Sequence, residues 1–185
     1  MGEISKNYVT ERSYQEDQWR LAAQVRRGGW CPDWIVGLWR GGASVAVSIH
    51  EFLKATGWPA KHMPLKCGCY SAIGCNEGAV QFTLLNEVLA AFNEGEKVLV
   101  VDDVFDTGKT AKALFERLEA KGVESRFACV YFKPKNNSTS MRPHYFVNEM
   151  GEEWLVFPHE IEGLSLEEVR QKSSVLAELI DGLNS

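Results

Sequence analysis

The stretch from Val98 to Thr110 reads VLVVDDVFDTGKT. It opens with four apolar residues, and such a short apolar run predicts a strand that is buried on both faces. Two acids, Asp102 and Asp103, follow at the end of this strand, and a turn at Thr107 and Gly108 leads into a helix. Because ligands of parallel α/β sheets bind beyond the carboxyl ends of the strands, we expect the chemistry of the protein at this turn.

The chain on either side of this stretch alternates between strands and helices. The predicted strands are short apolar runs between turn residues, at 34–38, 61–69, 97–101, 126–132, 144–147 and 153–157. The predicted helices have apolar residues at helical spacing, at about 13–27, 42–54, 108–121 and 165–183. Residues 80–92 fit either a strand followed by a helix or an extended hairpin arm. This alternation predicts an α/β fold with a mostly parallel sheet flanked by helices.

The ends and faces of the helices can also be predicted. Ser13 with Glu16, and Ser165 with Glu168, have the spacing of a capping box, so we expect helices to begin at both serines. Helical spacing places Val47 on the buried face of the second long helix. It places five residues inside the last helix, which are Val169, Leu176, Leu179, Ile180 and Leu183.

The composition excludes several classes of protein. The chain has 185 residues, of which 45% are hydrophobic and 24% charged, as in an ordinary soluble globular domain. A net charge of −5 argues against a nucleic-acid binder that relies on overall charge, and no apolar run is long enough for a transmembrane helix. An odd number of cysteines, five, and a start without a secretory signal predict reduced thiols in the cytoplasm. The spacing of Cys67, Cys69 and Cys75 is not that of a zinc site.

The turn after Asp103 has the chemistry of an anion site. The N-terminus of a helix offers unpaired N–H groups and a positive dipole end, and Gly108 permits close approach of a phosphate. Neighbouring carboxylates would repel that phosphate unless they face hydroxyl groups or a divalent cation. A Walker A loop is excluded, because its first glycine would fall at the position of Asp103.

This segment resembles the ribose-phosphate signature of type I phosphoribosyltransferases, which is four apolar residues, two acids and a turn ending in D-T-G-x-T. The resemblance implies that Asp102 and Asp103 contact the ribose hydroxyls and associate with Mg²⁺. It also implies that Asp106 takes up a proton from the base as the catalytic residue. The residues implied for the 5′-phosphate are Asp106, Thr107, Gly108, Lys109 and Thr110.

Two upstream segments fit the same family. The run Trp39, Arg40, Gly41 and Gly42 resembles its diphosphate loop, and family members often have a cis peptide bond just before these glycines, here between Trp39 and Arg40. The Gly-rich segment from Tyr70 to Gly78, in which Tyr70 and Ser71 stand where better-known purine enzymes have Ser-Ser-Tyr or similar, corresponds to the mobile loop over the reaction centre.

The C-terminal third resembles the part of these enzymes that covers the base, called the hood here and placed at about 133–163 with a contribution from the N-terminus. Lys133 is implied to meet the O6 of a 6-oxopurine, Trp154 to stack on the base, and the carbonyl of Leu155 to read the 2-position. Glu160 is implied to help bind metal or to order the pocket. His159 stands where bacterial xanthine-guanine enzymes have Trp. Without this context, Lys133 would be taken for a solvated surface lysine and Trp154 for a core residue.

The resemblance implies transfer of a 5-phosphoribosyl group from phosphoribosyl diphosphate to N9 of hypoxanthine, guanine or xanthine, with Mg²⁺ as cofactor. Asp at position 106 favours these 6-oxopurines over adenine and orotate. Residues 1–185 are expected to form one domain, with a core at about 30–132, the hood and a terminal helix at about 165–183. The implied partners are the two substrates, without nucleic acid or membrane, in a homodimer or homotetramer. The alternatives are a sensor of phosphoribosyl diphosphate without catalysis and a transferase for another base.

Overall fold

The computed structural model describes residues 5–69 and 80–183. Its strands are β1 Lys6–Tyr8, β2 Trp34–Trp39, β3 Lys61–Cys69, β4 Val80–Thr83, β5 Lys97–Phe105, β6 Glu124–Phe132, β7 Tyr145–Glu149 and β8 Trp154–Val156. Its helices are α1 Glu11–Arg27, α2 Gly42–Ala55, α3 Leu85–Ala90, α4 Lys109–Ala120, α5 Leu166–Lys172 and α6 Ser174–Leu183. Residues 80–92 are therefore a strand followed by a helix, which decides between the two predicted alternatives.

The main sheet has six strands in the order β4-β3-β2-β5-β6-β7. All neighbouring pairs in it are parallel except β3 with β4. A separate pair, β1 with β8, brings the N-terminus beside the C-terminal third of the chain. The predicted α/β class with a mostly parallel sheet is confirmed.

Strand β5 is buried on both faces, which explains its continuous apolar run. Leu99 and Val101 pack into a cluster with residues of α1 and α2, whereas Val98 and Val100 pack into a second cluster with residues of α3 and α4. Strands β2 and β5 pair through Trp34–Gly37 and Val98–Val101. Their carboxyl ends therefore lie side by side, and each leads into a helix.

Two predicted details of the long helices are wrong. Helix α1 is capped by Thr10, whose hydroxyl accepts a bond from the amide of Ser13 at 3.2 Å, so that Ser13 lies inside the helix. The helix begins at Glu11, one turn before the position that the spacing of Ser13 and Glu16 predicts. Val47 of α2 is 63% exposed, because the helix buries Val45, Ile49 and Leu53 instead.

The C-terminal end consists of two helices rather than the single predicted one. The capping box of Ser165 and Glu168 is confirmed, but α5 ends at Ser173, whose extended backbone separates it from α6. Leu179 and Leu183 are 63% and 87% exposed, contrary to the prediction. The break changes the helical phase, and Ala177 is the buried residue of α6.

Candidate functional site

The acid pair lies near the end of β5, which continues to Phe105 because it pairs with β6. The amide of Asp103 donates to Oδ1 of Asp102 at 3.0 Å, and the amide of Val104 donates to Oδ1 of Asp103 at 2.8 Å. Burial of Asp102 and the neighbouring charge of Asp103 raise the pKa of the Asp102 carboxyl well above its ordinary value. The pair is therefore a concentration of negative charge that a hydroxyl donor or a cation would stabilise.

The turn between β2 and α2 lies directly against this pair. A Cβ on Gly41 would overlap the Asp103 carboxylate, and one on Gly42 would overlap the carbonyl of Val101 and lie 2.8 Å from the Cα of Asp102. A side chain at position 42 would therefore clash with the backbone of β5, and one at position 41 would displace the Asp103 carboxylate. The expected cis peptide bond between Trp39 and Arg40 is confirmed.

The turn between β5 and α4 has the geometry expected of an anion cradle. Gly108 has a φ of 75° and caps α4, which begins at Lys109. A Cβ on Gly108 would lie 2.5 Å from Oγ1 of Thr139 and 2.7 Å from Oδ1 of Asn137, so the glycine is required by space as well as by conformation. The first amides of α4 lie beyond it, among the groups that suit a phosphate.

Residues 134–143, called the bracing loop here, hold this turn from the other side. Oγ and the amide of Ser138 both donate to the carbonyl of Thr107, at 3.1 and 3.0 Å. Nδ2 of Asn136 donates to Oδ1 of Asp106 at 2.7 Å. These contacts were not predicted, and their signal in the sequence is the run of small polar residues N-N-S-T-S.

Two predicted hood residues differ in their exposure. Lys133 is 6% exposed, and its ammonium group donates to the carbonyl of Glu153 at 2.7 Å, so it is not a surface lysine. Trp154, which follows Glu153, is 56% exposed, so it is not a core residue. The side chain of Leu155 is buried. Its neighbours Trp154 and Val156 make the backbone hydrogen bonds to the β1 segment, so the amide and carbonyl of Leu155 face away from β1.

An aromatic stack that was not predicted joins the hood to the acid pair. The rings of Phe157 and His159 are stacked, with centroids 5.8 Å apart, and the ring of Tyr14 contacts Phe157 at 5.1 Å. Burial and the charge of Asp103 raise the pKa of the Tyr14 hydroxyl. Tyr14 is thus a site residue contributed by α1, although the sequence shows it only as one position of an apolar helix face.

A cavity of about 640 Å³ opens between the Gly41 turn and the hood. Its lining residues are Arg40, Gly41, Asp103, Trp154, His159, Glu160, Ile161 and Glu162. The cavity therefore unites the predicted diphosphate loop, one acid of the pair and the predicted stacking residue. The residues from Asp106 to Thr110, Lys133 and Leu155 lie outside this lining.

Charged side chains at the rim of the cavity have protein partners. Nη2 of Arg40 lies 3.6 Å from Oε2 of Glu162, and both side chains are well exposed, so this pair is weak and exchangeable. Oε2 of Glu160 accepts the amide of Phe157 at 3.0 Å, which closes the turn that carries His159. Glu160 thus helps to fix the conformation of this turn.

The remaining predictions concern the mobile loop, a metal site, the cysteines and membrane-spanning helices. Tyr70 and Ser71 of the predicted mobile loop lie outside the described residues. Within residues 5–69 and 80–183, no three His, Cys, Asp or Glu side chains come together as a metal site. Cys31 and Cys129 are free thiols. None of the described helices combines the length and apolar character needed to cross a bilayer.

Comparison with known proteins agrees with the site. Residues 12–164 match the family model of the phosphoribosyl transferase domain. The chain is 35% identical over 68 residues to the xanthine-guanine phosphoribosyltransferase of Gluconobacter oxydans, covering 37% of each protein. It is 33% identical over 107 residues to the enzyme of the same name from Idiomarina loihiensis, covering 55% of this chain and 62% of that protein. The chain thus spans less than two thirds of the length of these curated relatives.

A solved structure resembles this one over most of the chain. The purine phosphoribosyltransferase of Pyrococcus horikoshii superposes with a TM-score of 0.68 at 28% identity, covering 88% of this chain and 98% of that one. The family model matches most of the chain, and the solved structure shares its architecture. The chain therefore belongs to the phosphoribosyl transferase domain family.

Proposed function

We propose that this protein transfers the 5-phosphoribosyl group of phosphoribosyl diphosphate to N9 of a 6-oxopurine, in purine salvage. The observation that carries the proposal is the contact between the Gly41–Gly42 turn and the acid pair at the end of β5. It supplies a diphosphate loop, ribose-binding acids and a phosphate turn at one edge of the sheet. The names of the relatives and the presence of Asp106 support the choice of hypoxanthine, guanine or xanthine as acceptor.

The segments 38–42 and 102–110 form the donor half of the proposed site. Asp102 and Asp103 accept hydrogen bonds from the ribose hydroxyls, and the turn from Asp106 to Thr110 holds the 5′-phosphate through its amides and hydroxyls. Arg40 exchanges Glu162 for the diphosphate, to which its guanidinium can donate two parallel bonds. Each group on the donor thus has a protein partner of suitable charge.

The hood supplies the acceptor half. Trp154 stacks on the purine, Lys133 donates to its O6, and the carbonyl of Leu155 accepts from the group at position 2. N9 of the base forms a bond to C1′ while the bond from C1′ to the diphosphate oxygen breaks, and the proton on N7 passes to the Asp106 carboxylate. The cavity walls position the reactants and exclude water.

Mg²⁺ fits the donor set of this site. Asp103 faces the cavity, and burial together with the neighbouring Asp103 charge raises the pKa of Asp102. A hard cation would relieve the repulsion between the two acids, with carboxylate and diphosphate oxygens as suitable ligands. When bound, the ion would neutralise charge on the leaving diphosphate. Asp102 and Asp103 would hold it, directly or through water, with Glu160 as a further candidate. We also propose a cytoplasmic homo-oligomer, either a dimer or a tetramer.

An assay of product formation tests the proposal. The protein is incubated with phosphoribosyl diphosphate, Mg²⁺ and, in turn, hypoxanthine, guanine, xanthine, adenine, uracil or orotate. We expect nucleoside monophosphate from at least one 6-oxopurine and none from the other bases, and none without Mg²⁺. Turnover of another base alone would show a transferase of different specificity. Donor binding without any turnover would indicate a sensor.

A further inference from the structure

The bracing loop contains a residue that acts on Asp106. We propose that Asn136 is a positioning residue, which orients the Asp106 carboxylate so that one oxygen faces the N7 proton of the bound purine. This inference rests on the proposed function, because it concerns the proton acceptor of that reaction. It assigns a role to a residue that lies outside the phosphate motif and is not among the base contacts expected in the hood.

The contact itself is short and specific. Nδ2 of Asn136 lies 2.7 Å from Oδ1 of Asp106, although 30 positions separate the two residues. An ionised carboxylate can only accept hydrogen bonds, so the amide nitrogen of Asn136, and not its oxygen, must face Asp106. The bond engages Oδ1 and leaves Oδ2 without a hydrogen bond to any described residue.

Asn136 is itself held in place by its loop. Its amide donates to the carbonyl of Lys133 at 3.2 Å, which makes a turn directly after β6. Two residues later, Ser138 makes its two bonds to the carbonyl of Thr107, so the loop is attached to the phosphate turn on the far side of Asp106. Asn136 therefore reaches Asp106 from a support anchored at both ends.

This arrangement connects the acceptor and donor halves. Lys133 precedes the loop and belongs to the proposed O6 contact, whereas Thr107 belongs to the proposed phosphate contact. A proton acceptor must lie within hydrogen-bond distance of its proton and at a suitable angle. A carboxylate held at one oxygen by a fixed amide keeps that geometry, whereas a free carboxylate would rotate about its χ angles.

Isosteric variants separate this role from simple packing. Asn136→Leu keeps the size of the side chain and removes the donor, and Asn136→Asp keeps the size and places a second carboxylate beside Asp106. Ser140→Ala is the matched control, because Ser140 is exposed in the same loop and takes part in none of the contacts described above. For each protein, kcat and KM for the base and the donor are measured with the best 6-oxopurine, together with the melting temperature.

We expect kcat to fall about 10- to 100-fold in Asn136→Leu, and further in Asn136→Asp, with the donor KM within about twofold of wild type. Ser140→Ala should keep kcat within about twofold. An Asn136→Leu enzyme with the kcat of wild type overturns the inference, and so does a loss that appears equally in the donor KM. If the wild-type protein transfers to no 6-oxopurine, the proposed function is wrong and the role of Asn136 fails with it. An active wild type with unaffected variants refutes the role of Asn136 alone.

Discussion

The donor half and the hood are built in different ways. In the donor half, the turn between β2 and α2 packs so closely against β5 that a Cβ on Gly41 would overlap the Asp103 carboxylate and one on Gly42 would overlap the backbone at Val101 and Asp102. In the hood, single side chains make the connections: Lys6 pairs with Glu168 across 162 positions, and Lys172 donates to the carbonyls of Phe157 and Glu160 at 2.6 and 2.5 Å.

This difference has a physical reason. The donor carries charged phosphates and hydroxyls, which backbone amides and short acids bind without much side-chain surface. A purine is a flat aromatic ring system with polar atoms around its edges, so its recognition requires an aromatic surface against its face and a few polar atoms brought from distant parts of the chain. We therefore expect substitutions in the donor half to act through the backbone and to be severe, and those in the hood to be graded and specific for the base.

The largest effect should come from Gly42→Ala. The new methyl group would overlap the backbone at Val101 and Asp102, which cannot move without disturbing β5. We expect activity to fall about 100-fold or more, with weaker donor binding measured by calorimetry. Gly182→Ala in α6 is the control, because a Cβ there meets no atom within 4 Å. Equal activity of both variants would contradict the proposed close packing.

Asp106→Asn tests the chemistry without changing the packing. The amide is nearly isosteric, so donor affinity should stay within several-fold, while loss of the proton acceptor should lower kcat about 100-fold. Asp102→Ala with Asp103→Ala should instead weaken donor binding. Steady-state kinetics at saturating donor would distinguish the two. If kcat of Asp106→Asn is unchanged while the chemical step limits turnover, Asp106 does not accept the proton.

Lys133→Ala should affect the base and spare the donor. A buried, charge-assisted hydrogen bond is worth about 1.5–3 kcal/mol, so kcat/KM for the 6-oxopurine should fall about 10- to 100-fold. The donor KM should hardly change. Lys135→Ala, an exposed neighbour in the bracing loop, is the control. Equal losses for base and donor would show that Lys133 supports the sheet rather than the base.

The smallest effect concerns the attachment of the C-terminal helices. The hydrogen bond from Lys6, followed by that from the amide of Ser165, lowers the pKa of Glu168 to about 2. A lowered pKa in the folded protein adds stability above the unfolded pKa of about 4.5, and this stability is lost as the pH falls towards 2.

The melting temperatures of wild type and Glu168→Gln should therefore differ by a few degrees at pH 7 and converge between pH 4.5 and 2. Glu178→Gln, at an exposed position on α6, is the control and should show no such convergence. A difference that stays constant with pH would mean that the charge of Glu168 does not attach the helix.

The sequence by itself determined the donor half. The strand, the acid pair and the turn at Gly108 are consecutive residues, and their apolar run and glycines report the local backbone directly. Both strand-to-helix turns lie on neighbouring parallel strands, so their meeting at one edge of the sheet also follows from the alternation of elements.

Only the tertiary structure decided the rest. It placed Tyr14 within the electrostatic influence of Asp103 and showed the hydrogen bond from Asn136 to Asp106. It also showed that β1 pairs with β8. The division of the terminal helix into α5 and α6 at Ser173 was likewise visible only in the structure. These features depend on contacts between residues that are far apart in the chain, and several local conformations satisfy the same sequence pattern until packing selects one of them. Periodicity records which face of an element is apolar, but not which side chain of another element will meet it.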